Sequence, residues 1–153
     1  MWDRMAGEIM EQSQLIQALL EAAKKEQWEV VDEKLIPQLG EVDNNVAAKE
    51  LLEYVSDKNP NIRDVVASSF ANLRGLNPEI ESGIIEAMFK MAKEDEERYP
   101  AGRAMVYLLS LKERPGLEDR VSRSLEEFKG KADINDWTND LKEAIPELKS
   151  VLS

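Results

Sequence analysis

The 153-residue chain has no cysteine and no histidine. Without cysteine there can be no disulfide scaffold, no thiolate zinc site and no cysteine nucleophile. Without histidine the commonest general base and the commonest transition-metal ligand are missing. No stretch approaches the ~20 consecutive apolar residues of a membrane span. The opening Met1-Trp2-Asp3-Arg4 lacks the basic start and apolar run of a secretory signal, so a cytoplasmic location is expected. Positive charge is also short: 20 Lys and Arg against 31 Asp and Glu, a formal net charge of −11. That balance opposes phosphate backbones and anionic membrane surfaces. Neither a nucleic acid nor a membrane is therefore an expected partner, and no cofactor is expected. A basic protein partner, or simple solubility, fits the charge better.

What remains is ample for a core. Hydrophobic residues make up 42% of the chain, and the length suits one domain or an array of small repeats sharing a core. Apolar positions recur at helical spacing throughout. Leu15, Ile16, Leu19 and Leu20 lead one helix; Trp28, Val31 and Leu35 lead a second. Ala48, Leu51, Leu52 and Val55 form a third stripe, and Ile62, Val65, Val66, Phe70 and Leu73 a fourth. Ile80, Ile84, Met88 and Met91 follow, then Met105, Leu108 and Leu109. Leu117, Val121, Leu125 and Phe128 precede a last stripe of Leu141, Ile145 and Leu148. No alternation is long enough for a strand. About eight helices of three to four turns are predicted, with the methionines Met5, Met10, Met88, Met91 and Met105 filling gaps between them.

The breaks have their own chemistry. Asn59-Pro60 and Asn77-Pro78 each supply a capping amide followed by proline at the first helical position, where a missing N–H costs nothing. Asp43, Asn44 or Asn45 can cap the helix that carries Leu51. Gly40, Gly75 and Gly130 follow apolar segments, as C-terminal stops do, and Pro115-Gly116 separates two more helices.

Short helices in antiparallel pairs raise the question of repeats. Pro60 and Pro100 are forty residues apart, as are Arg63 and Arg103, within the ~40–47 residues of HEAT and armadillo repeats. Leu51 to Leu73 resembles a HEAT repeat: an apolar helix, Asp57, a turn with Pro60, then Ile62-Arg63 and Val66, Ala67, Phe70 and Leu73. Ile62-Arg63 matches the Val-Arg-like pair that opens the second helix of that family, whereas Gly102-Arg103 keeps only the arginine. The resemblance is good over about a quarter of the chain and fair over another; the flanks follow from helix count.

It implies an all-α solenoid, a single domain over 1–153 of about four helix pairs at 5–40, 44–75, 78–113 and 117–152. It further implies that Asp57, Arg63, Asp95 and Arg103 form a structural ladder between repeats. The implied activity is protein binding or scaffolding, with no catalysis expected and monomer or weak dimer left open. Asp64, Ser68, Tyr99 and Tyr107 are the contact candidates, as exposed positions on or beside the arginine-bearing helices. The alternative is a divergent HEAT-like enzyme or enzyme subunit, with Arg63 and Arg103 facing a concave groove and holding a small or anionic ligand.

Other constellations read as structural. Asp133 to Asp140 has oxygen ligands at calcium-like spacing, but Trp137 stands at the fifth position, glycine is absent from the sixth, and Ala144 replaces the final Glu. Helix capping with acids favouring the dipole is the expectation there. Glu94-Asp95-Glu96-Glu97 is expected to be a solvated loop face. Serines lack a histidine partner, and no nucleophile elbow or phosphate-cradling glycine loop is present. Metal hydroxylases on HEAT-like folds use His-Glu pairs that this chain cannot supply. A glycosylase-like surface of Trp28, Arg63, Arg103 and Trp137 is opposed by the net charge, and both tryptophans are expected in the core.

Overall fold

The computed structural model describes residues 10–152, all helix and turn among those residues. Met5 lies outside the described residues. Helix α1 (Gln12–Lys24) is followed by a short turn α2 (Trp28–Val30), a π turn (Val31–Leu35) and a 3-10 segment (Ile36–Glu41). Then come α3 (Asn44–Leu52), α4 (Pro60–Phe70), α5 (Pro78–Glu94), α6 (Arg98–Leu109) and α7 (Glu118–Ile134). The chain ends in α8 (Thr138–Ala144), a 3-10 turn (Pro146–Leu148) and α9 (Lys149–Leu152). Two units are distinguished, Met1–Ser82 and Gly83–Ser153, the division falling inside α5.

In the first unit α1 begins with a reciprocal cap: the Glu11 carboxylate accepts from the Gln14 N–H, and the Gln14 amide oxygen accepts from the Glu11 N–H. Its buried face, Leu15, Ile16, Leu19, Leu20, Ala22 and Ala23, packs on α3, α4 and the π turn. Helix α1 and the segments from α3 to α4 therefore share one core, completed by Leu39, Leu51, Val65, Val66 and Phe70. Capping follows the sequence closely. Asn59 accepts from the Asn61 N–H at 2.8 Å, Asn77 from the Ile80 N–H at 3.0 Å, and Asp43 from the Asn45 and Val46 N–H groups at 3.0 and 3.2 Å.

In the second unit α6 packs on α7, α8 and the following 3-10 turn, burying Ala101, Ala104, Met105 and Leu108 with Phe128, Leu141, Ile145 and Leu148. The approach is close at Gly102. A Cβ there would lie 2.9 Å from both the Ile145 and Leu141 side chains and 3.3 Å from Leu148. The glycine at this position thus sits where the ends of three side chains crowd the α6 backbone.

Three predicted boundaries differ. Trp28 to Leu35 is a graded segment, not one α-helix: the Ile36 N–H bonds back five residues to Val31, and a 3-10 turn follows. Pro37 is the reason, because it has no N–H to continue an α-helical ladder. The last stripe is likewise broken. Pro146 pushes Ile145 out of the helical region, to φ −127° and ψ 85°, so α8 stops at Ala144. Gly130 stops nothing; it lies on the exposed side of α7, where a glycine is tolerated inside a long helix.

The real ends of α1 and α7 use non-glycine residues in the left-handed region, Glu26 (φ 56°) and Asp136 (φ 60°). At each, two N–H groups return to the last turn. Glu26 bonds Ala23 and Gln27 bonds Ala22; Asp136 bonds Asp133 and Trp137 bonds Ala132. This is the Schellman arrangement, satisfying carbonyls that would otherwise be orphaned.

Candidate functional site

The turn carrying Asp57 and Arg63 is braced from both ends. The Asp57 carboxylate accepts from the Asn59 N–H at 2.9 Å, holding the chain in a turn just before Pro60. Arg63 then reaches back from the first turn of α4, and its Nη1 donates to the carbonyls of Asp57 at 2.8 Å and Lys58 at 3.3 Å. These bonds tie a helix pair to its own turn. Asp95 repeats the first half of the device, accepting from the Glu97 N–H at 2.9 Å.

The Asp95 carbonyl, however, is reached by Lys131. Lys131 Nζ on α7 donates to the carbonyls of Asp95 at 2.6 Å, Lys93 at 2.9 Å and Ala92 at 3.4 Å, closing the C-terminal end of α5. A cation there complements the negative pole of the helix. Burial pushes the Lys131 ammonium below its ordinary value, against the opposing pull of Asp95, Glu96 and Glu94, and the Trp137 ring lies 5.4 Å from Nζ. The bond of Lys131 to the end of α5 was not legible, because nothing in the α7 pattern distinguishes this residue from a solvated lysine. Arg103 is half-buried on α6.

A second cross-brace joins the start of α3 to the loop before α5. The Asn44 amide oxygen accepts from the Arg74 N–H and the Asn45 amide oxygen from the Asn77 N–H, both at 2.8 Å. The Asn44 amide nitrogen donates to the carbonyls of Leu39 and Val42. Three consecutive capping side chains, Asp43, Asn44 and Asn45, were the available signal. One cap satisfies a helix; Asp43 does so here, and the surplus pair holds neighbouring loops.

Of the contact candidates, Tyr99 is exposed (38%) and Ser68 is half-buried. Asp64 and Tyr107 are buried, at 7% and 6%, and do not offer the exposed surface expected of them. Asp64 falls beside Val65 and Val66 on the inner side of α4, and Tyr107 beside Leu108 on that of α6. Both lie on the packed side because α4 and α6 bury wide faces. Trp137 is buried as expected, while Trp28 is only half-buried. Ser69 Oγ in α4 is buried and has no hydrogen-bond partner among the described residues.

Between α5 and α7, Arg120 forms a forked pair with Glu86 at 2.6 and 2.7 Å while its guanidinium stacks 3.9 Å from the Phe89 ring centroid. The hydrogen bond from Arg120 holds the Glu86 carboxyl below its ordinary value, and Glu86 raises Arg120 in turn. Arg98 in α6 pairs with Asp140 in the first turn of α8.

The Asp133 to Asp140 stretch begins as a helix stop, not a start. Asp136 sits in the Schellman turn, and α8 has no side-chain cap. Asp140 alone fulfils the expected dipole role. Among the described residues, no group of three or more His, Cys, Asp or Glu side chains could hold a metal ion. None of the described helices is long and apolar enough to cross a membrane. No protein-family model, curated protein or solved structure matches the chain.

Proposed function

We propose that the chain is a protein-binding or scaffolding module of HEAT-like helix pairs stacked as an α-solenoid. The observation that carries this reading is the recurrence of one turn. Asp57 and Asp95 each accept the N–H of the residue that precedes the next helix, a device recurring after thirty-eight residues, and each is followed within eight residues by a proline and an arginine, which recur after forty. A single pair of short amphipathic helices cannot bury both faces, and stacking supplies the missing core. The Asn45 bond supports such nearest-neighbour stacking, linking the first turn of one pair to the cap of the next, while the Asn44 bond to Arg74 ties the two ends of its own pair.

Function then follows from surface complementarity, with Tyr99 and Ser68 retained as contacts. A tyrosine supplies a large, semi-rigid contact area with a polar tip, a common source of binding energy. The acidic excess favours a basic protein. It is concentrated in residues 1–82, with sixteen acidic against eight basic side chains, compared with fifteen against twelve in the remainder.

The test places a photo-crosslinking amino acid at Tyr99 and, separately, at Ser68 in the native cell. The crosslinked protein is identified by mass spectrometry, then its affinity is measured with purified components. The reading expects one reproducible basic partner whose affinity falls about tenfold, or 1.4 kcal/mol, on Tyr99→Ala. Absence of adducts at both positions, together with turnover of a small-molecule panel, overturns it.

A further inference from the structure

We draw no further inference here: the strongest candidate, the outward-facing apolar side chain of Ile134 at the C-terminal end of α7, is 84% exposed, and nothing in the structure shows what covers it.

Discussion

Two of the described residues hold conformations that their side chains disfavour. Glu26 and Asp136 occupy the left-handed position that ends α1 and α7, where glycine is the usual choice because it has no Cβ to crowd the carbonyl. Glu26→Gly is expected to stabilise the protein by about 0.5–1 kcal/mol, the released strain exceeding the entropy that glycine adds to the unfolded chain. Asp136→Gly should gain less, because aspartate tolerates this region better than glutamate. Urea denaturation of the two variants checks both the sign and the order. The sequence could not announce these stops. Neither residue is a helix-ending type, whereas Gly130, which is such a type, sits inside α7. At this scale glycine content misled, and the hydrogen-bonding needs of the last turn decided.

Elements were legible where the apolar stripe was long and a cap marked its start. Asn59-Pro60 and Asn77-Pro78 open α4 and α5 where their chemistry requires. Legibility failed at Pro37 and Pro146, which fall inside otherwise periodic stripes and redirect the backbone without interrupting burial of Leu35, Leu39, Ile145 and Leu148. Periodicity reports which residues are buried, and proline decides by which backbone they get there.

The contact between α6 and α8 gives a sharp expectation. Gly102→Val should cost about 1–3 kcal/mol, since its added methyl groups meet Leu141 and Ile145 where even a Cβ is crowded. Gly102→Ala should cost less, as flexible side-chain ends can shift and alanine favours the helix. Thermal midpoints of both variants distinguish crowding from a general loss of helix.

The link between α5 and α7 has a pH signature. Because the Glu86 carboxyl is held below 4.5, its contribution to stability is present above that value and lost as pH falls through the lowered folded-state value. NMR titration of Glu86 should give a midpoint below 4.5, returning towards 4.5 in Arg120→Ala. The pair is exposed, so its effect on total stability is small.

Across the described residues, all-helical character could be read from spacing alone, and so could most core positions. The partners of the bracing side chains could not. Asp57 and Arg63 were identifiable by type, but no periodicity reveals that Lys131 serves the end of α5 or that Asn44 and Asn45 hold a loop thirty or more residues away. Those bonds depend on where loops meet after the helices have packed.

The asparagine brace also bears on how the protein ages. Slow deamidation converts asparagine to aspartate, exchanging an amide donor for a carboxylate that can only accept. Asn45 uses its side-chain oxygen towards Asn77 and would keep that bond. Asn44 also donates to two carbonyls, so the same conversion would set a negative charge against Leu39 and Val42. Asn44→Asp should therefore cost about 1–3 kcal/mol and Asn45→Asp close to nothing, measured by chemical denaturation at pH 7. A change of side chain to aspartate at Asn44 would thus weaken the brace, while the same change one residue later would spare it.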